Sequence, residues 1–222
     1  MKRSEINKLL KDGEKFFEKL SFKLPPFGYW EPARWKVNKV KAEEIRKCGL
    51  GWDLTDFGSR DFHKIGLLAF TIRNGILGDK KYKKTYAEKI MIVEPNQVTP
   101  LHFHWSKMED IINRGGGELM IQLYNSTKDE GLSGTDVSVV CDGMARKVKA
   151  GGLVVLKSGE SITLVQGMYH KFWANPKKGK VMVGEVSMVN DDKKDNRFYE
   201  RCGRFPKIEE DQKPYRLLCG DY

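Results

Sequence analysis

The stretch Thr99–Glu118, TPLHFHWSKMEDIINRGGGE, decides how this chain is read. His102 and His104 stand one residue apart, Lys107 and Glu109 follow, and a glycine run closes the stretch. Only His63 and His170 complete the 4 histidines of the chain. In a β-strand residues i and i+2 share a face, so both imidazoles point the same way while Phe103 points oppositely. Two imidazoles so placed chelate one ion, and a bend or the following strand would bring Glu109 back beside them. Neutral imidazole and carboxylate together suit a borderline divalent metal such as Mn, Fe, Co, Ni or Zn. The spacing predicts a metal site with His102, His104 and Glu109 as ligands.

Around this stretch the sequence reads as strand after strand. YAEKIMIVEP, PLHFHW, MEDIIN, GELMIQLYN, DVSVVCDG, MARKVKA, GGLVVLKSG, SITLVQG, YHKFWAN and KVMVGEVSMV are short and rich in β-branched and aromatic residues. Asp142 and Gly143 between two of them make a tight hairpin signal. Strands that follow one another without helices between them predict an antiparallel sandwich or barrel. Upstream, residues 1–20 carry apolar positions at helical spacing and stop before Pro25 and Pro26. FGYWEPARW reads as an irregular or edge segment, because Pro32 would interrupt a central strand. Val40–Cys48 reads as a short helix capped by Gly49. GLGWDLTDFGS begins with turn chemistry, and Ile65–Ile72 is a buried strand. His63, among Arg60, Asp61 and Lys64, reads as a surface or capping histidine. The tail from Asp191 is charged, with Asp191 and Asp192 as solvated acids, yet Phe198, Tyr199, Phe205, Tyr215 and Leu217 make it a segment that wraps the core or meets another subunit. The expected organisation is one domain over 1–222: a helix and arm region at 1–85, a barrel core at 86–190 and a wrapping segment at 191–222.

Composition fits a globular protein: 222 residues, 40% hydrophobic and 32% charged. No apolar run nears the roughly 18 residues of a membrane span or resembles a signal peptide core. The net charge of +10 is spread along the chain and interleaved with acids, a solvated surface more than a nucleic-acid face. Cys48, Cys141, Cys202 and Cys219 are far apart and form no CxxC unit, as expected of reduced thiols in a cytoplasmic protein.

A third histidine, His170 in GESITLVQGMYHKFWAN, completes a resemblance to the cupin pattern. His102, His104, Glu109 and Gly116 match its first motif, with Asn96 where a glycine is usual. Gly159, Gly167 and His170 match its second, with Val165 in place of proline and Ala174 in place of asparagine. The resemblance implies a mainly β jelly-roll barrel, with N-terminal helical segments here, and His170 as fourth ligand. Such a set leaves coordination positions open for substrate or water.

More of the chain, from GYWEP through GLGWDLTDFGS, YAEKIM, HFHWSKMEDIINRGGGEL, GEVSMVNDD and PYRLL, resembles the D-lyxose isomerase family of sugar ketol-isomerases. That resemblance implies a homodimer with Mn(II) preferred, interconverting D-lyxose with D-xylulose and D-mannose with D-fructose through a cis-enediol. It makes Lys107 a proton carrier, its pKa lowered by a nearby metal, and Glu109 a ligand first and proton carrier second. Lys89, Glu185 and Trp105 are expected to bind the sugar, although alternation leaves the faces of Lys89 and Glu185 open. Phe172 and Trp173 are further aromatic candidates for packing on a sugar ring. An iron-dependent cupin dioxygenase and a non-catalytic sugar-binding cupin are the alternative readings of the same metal box.

Overall fold

The computed structural model describes residues 1–191, 194–203 and 205–222, so Asp192 lies outside the described residues. Helix α1 spans Arg3–Lys19, α2 Pro32–Val37 and α3 Glu43–Lys47. The strands are β1 (Gly51–Thr55), β2 (Leu67–Arg73), β3 (Tyr86–Val93), β4 (Thr99–Phe103), β5 (Glu109–Gly116), β6 (Leu119–Asn125), β7 (Val137–Cys141), β8 (Met144–Val148), β9 (Leu153–Leu156), β10 (Ser161–Leu164), β11 (Met168–Ala174), β12 (Val181–Met188) and β13 (Arg197–Phe198). Every segment read as a strand between Tyr86 and Met188 is one. At the β7–β8 turn, Asp142 and Gly143 both take positive φ (51° and 79°), as a two-residue hairpin loop of this kind requires.

The strands form two antiparallel sheets, an 8-stranded one in the order β1-β2-β3-β12-β5-β10-β7-β8 and a 5-stranded one in the order β13-β4-β11-β6-β9. This is the mainly β jelly-roll architecture that the cupin pattern implies. Residues such as Met91, Ile111, Leu123, Val139, Ile162 and Val183 fill the space between the sheets. A second apolar cluster joins Ile6, Leu10 and Phe17 of α1 to Trp52, Phe70, Ile90, Ile92 and Met182 on the outer face of the larger sheet. Gly13 permits that close approach: a Cβ there would lie 3.1 Å from Ile92 and 3.3 Å from Leu68. The C-terminal segment wraps this region. Lys2 bridges to Glu209 and Trp52 to Leu218, while Arg3, only 2% exposed, pairs with Glu210 at 2.6 Å and Asp221 at 3.1 Å.

Two upstream readings need correction. FGYWEPARW is not an edge strand or irregular piece throughout: a 3-10 turn at Pro26–Tyr29 leads into α2, which Pro32 opens at the helix start, where its missing N–H costs nothing. GLGWDLT is not turn chemistry but strand β1, paired with β2 from Gly51↔Thr71 to Thr55↔Leu67. His63 is a surface residue, 66% exposed and 3.2 Å from Glu5. All 4 cysteines are free thiols. No helix among the described residues is long and apolar enough to cross a membrane.

Candidate metal centre and active site

Strands β4 and β11 are neighbours, and His102 stands directly opposite His170, their ring centroids 4.1 Å apart. His104 follows the end of β4, its ring 5.1 Å from that of His102. One ligand nitrogen from each of the three lies within 4.8 Å of the others. Glu109 arrives from the facing sheet as the first residue of β5. Its Oε1 is 3.1 Å from His170 Nε2 and 3.4 Å from His104 Nε2. The structure thus brings together all four sequence-predicted ligands.

The hydrogen bonds around the rings fix what those nitrogens can do. Each Nδ1 lies against a backbone carbonyl: His102 with Pro100 at 2.8 Å, His104 with Asp195 at 3.0 Å and His170 with Met168 at 3.0 Å. A carbonyl only accepts, so Nδ1 carries the proton and Nε2 presents a lone pair. Nε2 of His104 and of His170 is buried without a hydrogen-bond partner. Burial, together with His170 and His104 alongside, pushes the His102 pKa well below the ordinary imidazole value. Burial alone would raise the Glu109 carboxyl, yet the Lys107 ammonium holds it well below the usual carboxylate range. Basic nitrogens thus face an ionised carboxylate with no proton between them. A cation resolves that arrangement, and the donor set of three imidazoles and one carboxylate fits a divalent metal.

Beside the ligands lies a buried charge cluster. Lys107, 3% exposed, sets its Nζ 2.6 Å from Glu109 Oε2 and 3.0 Å from Glu185 Oε1. Lys89 Nζ and Ser187 Oγ also donate to Glu185 Oε1, each at 3.1 Å. Register settles the faces that alternation left open: Glu185 on β12 pairs with Lys89 on β3, and both side chains turn inward. Lys89, Lys107, Glu109 and Glu185 border a cavity of about 1550 Å³ that also takes in Asp53, Thr55, Thr71, Phe172 and Phe198. Trp105 lines it too, but at the rim: it is 45% exposed and its indole N–H donates to Glu130 at 2.9 Å. Trp173 alternates to the other face of β11, beneath the Lys171 ammonium. Sequence reasoning missed Asp195, whose carbonyl holds His104, and Phe198, whose ring stacks on His102 at 5.2 Å. It also missed Asp53 and Thr55, whose polar alternation in β1 was the available signal.

Comparison with known proteins agrees with this geometry. The chain is 48% identical over 223 residues to the D-lyxose/D-mannose isomerase of Serratia proteamaculans, covering 100% of this chain and 98% of that protein. It is likewise 48% identical, with the same coverage, to the D-lyxose/D-mannose isomerase of Escherichia coli O157:H7. Among solved structures, the L-ribose isomerase of Cellulomonas parahominis superposes with a TM-score of 0.63 at 16% identity, over 94% of this chain and 98% of that one. The L-ribose isomerase of Geodermatophilus obscurus gives 0.58 at 17%, over 89% and 92%. At these identities the structural likeness is one of fold. The family model for D-lyxose isomerase matches residues 1–222. On this evidence the chain is a sugar isomerase and belongs to the D-lyxose isomerase family.

Proposed function

We propose that this protein interconverts D-lyxose with D-xylulose and D-mannose with D-fructose, using Mn(II) held by His102, His104, Glu109 and His170. The observation that carries the reading is the set of imidazoles whose Nδ1 atoms are each committed to a carbonyl, leaving basic Nε2 atoms gathered beside Glu109. When bound, the metal supplies electrophilic stabilisation of the negative charge that builds on the sugar oxygens as a carbon-bound proton leaves.

The chain's own residues move the protons. Glu109 turns Oε1 to the histidines and Oε2 to Lys107, so both its oxygens are engaged and it serves first as ligand. Lys107 exchanges the proton on the sugar oxygens as the carbonyl shifts between C1 and C2. Sugar hydroxyls entering the cavity compete for Lys89 and Lys107, which releases Glu185 Oε1 to carry the carbon-bound proton through a cis-enediol. Trp105 at the rim offers an apolar face to the sugar ring.

Family membership sets aside the dioxygenase and non-catalytic readings. A homodimer has support on the outer face of the larger sheet, where Tyr86 and Met188 pair in register and both stand exposed with Val186 and Met108. Free thiols suit a reducing cytoplasm. The test is incubation of the Mn(II)-loaded protein with D-lyxose and with D-mannose, with ketose expected from each. No ketose from either sugar, with metal shown to be bound, refutes the proposal.

A further inference from the structure

After β12 the chain returns to the edge of β4, where β13 sets Arg197 opposite Phe103 and Phe198 opposite His102. Asp195 lies just before that pairing and is buried. Its Oδ1 accepts the Ser106 N–H at 2.7 Å. Its Oδ2 accepts the Lys107 N–H at 3.0 Å and Asn190 Nδ2 at 3.2 Å. Its backbone carbonyl accepts from His104 Nδ1 at 3.0 Å. A single residue on a distant segment therefore holds His104, Ser106 and Lys107 together.

The geometry points to Asp195 as the positioning residue for both halves of the site. Its carbonyl fixes the His104 tautomer, so that Nε2 is the basic nitrogen. Its carboxylate gathers two successive amides of the turn between β4 and β5, which aims Lys107 between Glu109 and Glu185. The Ser106 and Lys107 N–H groups fall on different oxygens of the side chain, so both oxygens act as acceptors. Only a carboxylate of this length offers both, since Asn presents one oxygen and one competing donor. The ring of Phe198 on His102 anchors the far end of the same strap. By linkage, a metal that orders the histidines orders the strap, and loosening the strap weakens the metal.

This assignment rests on the isomerase reading for its kinetic readout alone. The experiment compares Asp195→Asn and Asp195→Ala with the parent by Mn(II) titration calorimetry, D-mannose kinetics and amide hydrogen exchange. In Asp195→Asn, kcat should fall about 10–100-fold with KM nearly unchanged and Mn(II) binding weakened about tenfold, the usual scale for partners of metal ligands. Asp195→Ala should lose more. Exchange at residues 104–108 should quicken in both variants. A purely structural residue would lower the melting temperature while folded, metal-loaded enzyme kept its kcat and metal affinity. That outcome in Asp195→Ala overturns the assignment. Should neither variant fold, exchange in the unaltered protein decides: Ser106 and Lys107 amides as protected as those of β5 support it, and exchange at loop rates overturns it. If the metal-loaded parent isomerises no sugar, the isomerase reading falls, while titration and exchange still judge Asp195.

Discussion

Replacing Lys107 by Met keeps an unbranched stem of similar length and removes one buried ammonium. Its Nζ lies 2.6 Å from Glu109 and 3.0 Å from Glu185, all three side chains being buried. Without it two carboxylates face each other across about 5 Å, a repulsion of roughly 3 kcal/mol at an effective dielectric constant of about 20. Lys89, 3.1 Å from Glu185, offsets part of that. A metal at Glu109 offsets more, so the metal-free protein carries most of the penalty. Metal-free Lys107→Met should be destabilised by about 2–3 kcal/mol, a fall of roughly 5–10 °C in Tm for a chain of this size. The metal-loaded variant should lose less. Catalysis should suffer differently: removing a proton carrier costs about 10²–10⁴ in kcat, while Mn(II) affinity stays close to the parent's. Ketose formation from D-mannose gives the first quantity, and denaturant unfolding with and without Mn(II) gives the second. A metal-loaded variant with kcat within threefold of the parent refutes Lys107 as proton carrier. Unchanged metal-free stability refutes the charge balance drawn for the cluster.

Further outcomes are expected. Chelation with EDTA should abolish ketose formation and lower Tm, since a ligand of the native state at 100 times its Kd adds about 2.7 kcal/mol; His102→Ala should lose stoichiometric metal, and unchanged metal content by elemental analysis would remove His102 from the ligand set. Arg3→Met should destabilise the fold by about 1–3 kcal/mol, below the usual cost of breaking a buried ion pair because the stranded Glu210 is largely exposed and can rehydrate. Arg3 holds the Glu210 carboxyl below its usual range, so that part of the stability is present at neutral pH and lost as pH falls through the lowered value. The Tm gap between parent and Arg3→Met should therefore narrow in acid, and a gap that widens contradicts the clasp. In heavy water, the ketose formed should carry solvent deuterium at C1, and its complete absence under exchange conditions would point to a hydride shift.

Much of the site was legible because its proposed ligands obey strand periodicity. His102 and His104 share a face by alternation, and Glu109 opens the next strand. The faces of Lys89 and Glu185 were illegible for a physical reason. Their strands are covered on both sides, Ile90, Ile92 and Met182 beneath α1 and Met91, Val93 and Val183 between the sheets, so apolar residues flank each charge in either phase. Strand β1 was missed because its interior positions, Asp53 and Thr55, are polar where a packed core would be apolar. They border the cavity. Asp195 left no signal of its role, because the site residues it holds, His104, Ser106 and Lys107, lie 88 to 91 residues away.

The departures from the cupin pattern show which features the centre needs. Asn96, where glycine is usual, takes φ 62°, and asparagine is among the few side chains that tolerate that region. Val165 gives up a proline, yet Gly167 keeps its positive φ at the turn into β11. The backbone requirement is retained while residue identity drifts, because sheet pairing sets the directions of the ligands. His102 and His170 are locked by register in one sheet, whereas Glu109 belongs to the other. The metal proposed for this site would tie the two sheets together across their charged region. Inward residues there run from Glu109, Glu185 and Lys89 to Ile111, Val183 and Met91 within one step along each strand. Burying that charge costs desolvation, which pairing within the cluster and the adjoining apolar core offset. The metal should therefore matter to the stability of the sandwich as well as to the chemistry, and the sheet pairs flanking Glu109 are where its removal should first loosen the fold.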